Sequence, residues 1–421
     1  MREFINVKLL NLNISTPVLL ISLALAACLM GDAMLYAVMP SSPETWGLST
    51  SAIALMLSVN RFIRLASNPM AAVLFRKFGK QSMLVFALLL SVYVTMIYGW
   101  STAFFLLITS RILWGIAFSI LRLGTQITVF EETEESNRGF QMGASLGIMR
   151  MGNVFGAILG SISVQRFGHR ATLTGFTIAI IASSVLWFLK IPKRSKQANV
   201  KPLPTQNEEN EESVLSQFEI IFRDKQVFLF LIASFLTGLI FPGLMWSTTG
   251  FYLLESFGDN ITTLGISISV ISLTGLMLGM QWSLVMPVAP LVGKASDRYG
   301  RITVIVCGLL IGIVGLTILS LSSTIILSLL AIFLAFLAGV ILAVVLPTTI
   351  GELVGSSKRA AALSVYATCA DLGSGIGPII GLSFGSLLLL KGIFIFSAFL
   401  LGSTAIIIIL AFRNVKLFST N

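Results

Sequence analysis

The feature that most constrains this chain is a succession of apolar runs, each about 20 residues long, separated by short polar breaks from one end to the other. About 20 apolar residues carry a helix across the hydrocarbon of a bilayer, and helices are one of only two structures that cross it with every backbone amide satisfied. Twelve spans can be read, with limits near 17–39, 51–75, 81–99, 102–128, 140–163, 171–190, 226–254, 261–292, 302–321, 324–349, 360–388 and 391–412. Only 11% of residues are charged and the mean hydropathy is +0.94, which excludes a soluble globular domain. The first run contains Asp32 and no small-residue cleavage pattern, so it reads as a span and not as a secretory leader.

Lysine and arginine set the expected orientation, because cytoplasmic loops carry their excess. Of the 28 present, 20 fall on the side of the N-terminus, three (Arg166, Arg170 and Lys391) on the opposite side, and five inside spans. The expectation is a multi-pass protein of the inner (cytoplasmic) membrane with both termini in the cytoplasm. The net charge of +10 is scattered over short loops, as this bias requires, and is no footprint of nucleic-acid binding. Cys28, Cys307 and Cys369 lie in spans without metal-ligand spacing, and the single histidine, His169, sits in a short outer loop. Neither a metal centre nor a hydrolytic site can be assembled from them, and no nucleotide-binding loop is present. The reading is therefore of a protein that is not an enzyme and needs no cofactor.

One long polar break, residues 191–225, carries PKRSK and NEENEE before the amphipathic VLSQFEIIF. It reads as a charged cytoplasmic linker between two six-helix bundles, 1–190 and 226–421, with its last segment on the membrane surface. The two halves are copies. At a constant offset of 221 residues, RKFGK (76–80) falls on DRYGR (297–301), Pro69 on Pro290, Glu131 on Glu352, and RMGNVFGAILG (150–160) on DLGSGIGPIIG (371–381). One register for loop and helix patterns alike marks an internal repeat. Gly152, Gly156 and Gly160, and their counterparts Gly373, Gly377 and Gly381, make narrow stripes on which another helix can lie close. Arg150 and Asp371 stand about 200° from the first glycine of each stripe, at equivalent depths in opposite halves, so each must meet another helix or a water-filled cavity. The fold class expected is all-α integral membrane, with twelve transmembrane helices in two pseudo-symmetric six-helix bundles around a central pathway.

Inside the spans the charges are one-sided. Arg61 and Arg64 in span 2, Arg111 and Arg122 in span 4 and Arg150 in span 5 stand against Asp32 in the same half and Asp371 in the other. Each arginine at the bilayer centre costs about 2.5–3.5 kcal/mol on insertion scales and needs a carboxylate, water or an anionic ligand. In SVNRFIRLASNP (58–69), Asn60, Arg64 and Asn68 repeat at four-residue spacing with Arg61 on a neighbouring line. The counterpart GMQWSLVMPVAP (279–290) keeps the proline but puts Trp282 and Val285 where the arginines stand, whereas an architectural charge would be expected in both copies.

Arg111 and Arg122 share a face with Gly115, about 16 Å apart along the axis. The residues expected to meet an anion are Asn60, Arg61, Arg64, Arg111 and Arg150, planar guanidinium groups being suited to carboxylate or phosphate. Asp32 is expected to offset Arg61 or Arg64, and Arg122 to snorkel to the cytoplasmic interface. Arg150 and Asp371 are expected to link the halves or to join the site. Asp32 and Asp371 are the groups placed to carry a proton, since an anion competing for an arginine changes the proton affinity of the carboxylate that shared it. Tyr36, Trp246, Trp282 and Tyr366 read as packing residues.

GKASDRYGR, Gly293 to Arg301 between spans 8 and 9, matches a loop signature of the major facilitator superfamily, and the chain resembles that family over essentially its whole length. The resemblance implies that Gly293, Asp297, Arg298, Gly300 and Arg301 form a conformational latch. The copy between spans 2 and 3 departs from the signature, with Ala72 and Arg76 at the glycine and aspartate positions. RILWG, with Arg111 and Gly115, is similar to the family's helix-4 arginine motif, which implies proton coupling. The run from Gly152 to Gly160 is similar to its glycine-rich antiporter motif, with Ala157 replacing a proline that the span 11 copy keeps as Pro378. The expected function is a monomeric, proton-coupled secondary transporter that exports a small organic anion, such as a carboxylate-type metabolite or siderophore. Uptake of an anionic nutrient, multidrug efflux of hydrophobic compounds and flipping of an anionic lysolipid are the alternatives. A membrane sensor is disfavoured, because the linker is too short for an output domain.

Overall fold

The computed structural model describes residues 4–7, 12–190, 224–263, 266–383 and 387–412. Residues 191–223, most of the expected linker with its amphipathic end, lie outside the described residues. Ten helices among the described residues are long and apolar enough to cross a membrane. One of them, Arg138–Lys190, has 53 residues, about twice what a bilayer accepts, and doubles back at Gly168, whose φ of 78° glycine takes without a steric penalty. Gly160 on one arm lies against Phe176 on the other. A further helix, Thr50–Phe78, is long enough at 29 residues, and Asn60, Arg61 and Arg64 hold its hydropathy down.

Twelve spans result. They are span 1 Thr16–Val38, span 2 Thr50–Phe78, span 3 Lys80–Trp100, span 4 Phe104–Glu132, spans 5 and 6 as the arms of Arg138–Lys190, and span 7 Lys225–Phe257. Span 8 is Val270–Tyr299, span 9 Arg301–Leu321, span 10 Ile325–Leu353, span 11 Gly355–Leu382 and span 12 Leu387–Phe412. Large apolar side chains such as Leu89, Phe105, Phe399 and Leu410 are exposed on the outside of the bundle, the surface a bilayer solvates.

The start of span 8 differs from the sequence reading. Asn260–Thr263 pairs with Ile266–Ser269 as an antiparallel hairpin, and Ser269 caps the helix by accepting from the Ile271 amide at 3.2 Å. The β-branched residues Ile261, Thr262, Thr263, Ile266 and Ile268 favour that hairpin, so the span begins nine residues later and runs on to Tyr299. A second hairpin, Phe4–Val7 with Leu12–Ser15, precedes span 1. Single glycines join spans 2 and 3 and spans 8 and 9: Gly79 with φ 81° and Gly300 with φ 88°, 221 residues apart like the rest of the repeat. Span 7 is interrupted by a π-helical turn, Leu239–Met245, around Pro242, which has no amide to donate to an α-helical ladder.

The glycine stripes do what their spacing predicts. A Cβ on Gly152 would stand 2.3 Å from the Ala26 carbonyl oxygen and one on Gly156 2.3 Å from that of Met30, so span 5 lies directly on the backbone of span 1. In the second half a Cβ on Gly373 would stand 2.1 Å from the Phe235 carbonyl oxygen, and one on Gly377 2.5 Å from the Gly243 backbone in the π-helical turn.

The halves meet along spans 5 and 8, 2 and 11, and 1 and 7. Gln165 accepts from Ser272 at 2.6 Å, Ser51 donates to the Ser383 carbonyl at 3.2 Å, and a Cβ on Gly250 would stand 3.0 Å from Ser41. All three contacts lie at the end away from the basic loops. At the basic end Gly139, Gly143 and Gly293 face open space. The interface is therefore closed at one end and parted at the other.

Candidate functional site

Between the halves lies a cavity of about 280 Å³. Its charged lining is Asp32, Arg61, Arg64, Arg122, Arg150 and Asp371, with Asn60 and Asn153 as polar neighbours. Tyr36, Trp114, Phe118, Trp246 and Trp282 add aromatic walls. The repeat explains the pairing of positions: Arg150 and Asp371, 221 residues apart, both reach the cavity, and so do Arg61 and Trp282. Span 2 is held close by Gly115 of span 4, where a Cβ would stand 2.0 Å from Ile63 and 2.9 Å from the Asn60 carbonyl oxygen. Further toward the basic end, Ser119 bonds Ser67 at 2.7 Å and donates to Asn68 at 2.8 Å, so the polar stripe is tied to span 4 below the arginines.

Partner choice differs from the sequence reading. Asp32 pairs with Arg111, not with Arg61 or Arg64. Arg111 is fully buried behind the cavity wall with its guanidinium over the Tyr36 and Tyr98 rings, and is absent from the lining. It is a structural counter-ion where an anion contact was expected. Arg64 donates to Asp371 at 2.6 Å, and Arg61 stands 3.8 Å from the same oxygen. The carboxylate offsetting span 2 thus comes from the other half of the molecule. Arg61 also faces the Tyr36 hydroxyl at 3.5 Å and lies over the Trp246 ring, which meets Trp282 edge to face at 5.3 Å. Asn60 Oδ1, Arg64 Nε and the indole nitrogens of Trp246 and Trp282 are buried with no hydrogen-bond partner among the described residues.

Arg122 lines the cavity instead of reaching the interface, and Arg150 lines it without forming the expected link to Asp371. Among the described residues neither Arg122 nor Arg150 has a carboxylate within 4.0 Å. Sequence reasoning passed over Tyr36, Trp246, Trp282, Asn153 and Arg122 as site residues. The repeat register carried a signal for Trp282, the counterpart of Arg61, and the helical spacing one for Asn153, three residues beyond Arg150.

A model of the Major Facilitator Superfamily matches residues 21–288 and 262–417, one match for each half with an overlap around span 8. The chain belongs to the Major Facilitator Superfamily. It is 24% identical over 279 residues to an uncharacterized transporter of Buchnera aphidicola, a match covering 66% of this chain and 62% of that one, so the match spans about three fifths of the relative's length. A bacterial homologue of the human lysosomal transporter Spinster, in an inward-facing and unoccupied conformation, is similar with a TM-score of 0.76 at 14% identity, over 95% of this chain and 97% of that one. The nucleoside transporter NupG is similar with the same score and identity, over 95% and 100%. These likenesses are of fold. The family and its fold are those of membrane transporters, not of enzymes.

The family's loop signature is built as an ion-pair cluster within one half. Arg301 pairs with Asp297 at 2.7 Å and with Glu352 of span 10 at 2.9 Å, and also bonds Ser296. The first half keeps one arm of this cluster: Lys80 pairs with Glu131, the counterparts of Arg301 and Glu352. Arg76 stands where Asp297 would be, so the second arm is missing there. Arg298 lies over the neighbouring Tyr299 ring, and Gly293 borders open space; neither joins the ion pairs. Asp297, Gly300 and Arg301 thus hold the turn, and Gly293 and Arg298 lie beside it.

Proposed function

We propose that the protein moves a small organic anion across the inner membrane by alternating access of its two halves. The basic end faces the cytoplasm, and the anion leaves in exchange for protons. The observation that carries this reading is the charge of the cavity: four arginines line it against two aspartates, and one of those aspartates is taken by Arg111. A low-dielectric chamber with this imbalance is stabilised by an anion and disfavours a hydrophobic cation. Its volume, about 280 Å³, is at the small end for ligand sites and suits a metabolite better than a bulky drug. Asp371 offers the coupling. An anion that takes Arg64 from it frees a carboxylate that then accepts a proton, and proton binding at Asp371 in turn releases Arg64 for the anion. Asp32, held by Arg111, has the weaker claim to that role. The outward direction rests on the likeness of Gly152–Gly160 to the antiporter motif.

A thermal-shift comparison tests the reading. Citrate is expected to raise the melting temperature of the purified protein by several degrees, as a ligand bound only by the folded state does. Arg64→Ala and Arg150→Ala are expected to abolish the shift. Stabilisation by tetraphenylphosphonium, equal in all three proteins and without an effect of citrate, would point to multidrug efflux instead.

A further inference from the structure

The cavity's charges are stacked in depth. Gly152 and Gly156 of span 5 lie on Ala26 and Met30 of span 1, and the constant pairing shows that the two helices run parallel. Arg150 therefore stands level with residue 24, eight residues from Asp32, or about 12 Å nearer the basic end at about 1.5 Å per residue. On span 4, Ser119 is level with Ser67 and Asn68, and Gly124 lies against Phe75, so Arg122 falls between those levels, also well below Arg61 and Arg64. Arg122 and Arg150 form a lower rung without a carboxylate. The upper rung, Arg61 and Arg64, shares the single carboxylate of Asp371. With Asp32 committed to Arg111, three guanidinium charges in one cavity have no carboxylate of their own.

We propose that Arg122 and Arg150 are a docking site for one oxyanion group of a substrate that carries at least two, the second displacing Asp371 from Arg64 on the upper rung. This rests on the anion reading above and narrows it to a class: di- and tricarboxylates, or molecules with two separated oxyanion groups. A monoanion at either rung leaves two arginines uncompensated, which a desolvated chamber does not tolerate. Two groups on one molecule satisfy both rungs, and the second binds at the high effective concentration that tethering gives. Guanidinium forks favour carboxylate and phosphate oxygens alike, so charge number and spacing decide, and not the identity of the acid. The lower rung lies on the parted, basic side of the cavity, where an incoming anion meets it first.

Isothermal titration of the full-length purified protein at fixed ionic strength tests this with propionate, glutarate, tricarballylate and inorganic phosphate. Glutarate and tricarballylate are expected to bind at least about tenfold more tightly than propionate, with phosphate, whose charge sits on one group, close to propionate. Arg122→Gln is expected to reduce the glutarate preference to less than about threefold while propionate binding holds, and Arg122→Lys to keep most of the preference. Retained melting temperature in both variants separates loss of a ligand contact from loss of fold. Glutarate binding no tighter than propionate, an unchanged preference in Arg122→Gln, or phosphate matching glutarate would each overturn the two-rung site while leaving the anion reading standing. No binding of any of the four would contradict the anion reading itself, and the site with it.

Discussion

Replacing Asp32 by alanine is expected to destabilise the protein by about 3–5 kcal/mol, the range for removing one partner of a buried ion pair. The cost falls on Arg111. Its side chain is entirely buried, its Nε and Nη2 have no partner among the described residues, and the carboxylate of Asp32 is the only one within 4.0 Å. Without it a full positive charge would stay in the membrane interior between Tyr36 and Tyr98. The double variant Asp32→Leu, Arg111→Met removes both charges together and is expected to recover most of the loss, because buried pairs exchanged for apolar residues of similar volume are often neutral. Melting temperatures of purified single and double variants check this. Equal destabilisation in both would show that the pair does more than neutralise itself.

Gly156→Leu and Gly377→Leu are expected to be the most damaging packing changes, each costing at least about 3 kcal/mol and giving little monodisperse protein. In both, the obstacle is main chain, which cannot rotate away. A Cβ at 156 would stand 2.3 Å from the Met30 carbonyl oxygen, and one at 377 would stand 2.5 Å from Gly243 in the π-helical turn of span 7. Gly143→Leu is the control: it lies on the same helix as Gly156 with nothing within 4 Å, and is expected to be tolerated. Size-exclusion profiles and melting temperatures of the three variants distinguish backbone contact from a general intolerance of side chains on these helices.

The spans, the repeat and the glycine stripes were legible because each rests on local spacing: 20 apolar residues for a crossing, four-residue steps for a stripe, one constant offset for two copies. The cavity's composition was legible in part for the same reason. Arg61, Arg64, Arg150 and Asp371 were singled out as charges too costly to face lipid, and all line it. What the sequence left open is which charge meets which. Asp32 lies on span 1 and has arginines on spans 2 and 4 within its own half to choose from; the choice of Arg111 depends on the rotation of helices that span 1 touches, which no spacing encodes. Arg64 finds its carboxylate 307 residues away in the other half. Arg122 misled for a different reason: its position near the helix end suits snorkelling, and only the parting of the halves at the basic end turns that level into cavity wall. The hairpin before span 8 was hidden because Ile-rich alternation and an apolar helical start look alike over so few residues.

The most direct measurement is substrate counterflow in proteoliposomes, with the purified protein reconstituted at equal density as the unaltered chain and as Arg64→Ala. Vesicles loaded with unlabelled citrate are expected to accumulate external labelled citrate transiently through the unaltered protein, with the overshoot rising when the lumen is acidified and vanishing in Arg64→Ala. Counterflow that persists undiminished in Arg64→Ala, or an unaltered protein that exchanges a hydrophobic cation and no organic anion, would contradict an arginine-lined anion pathway.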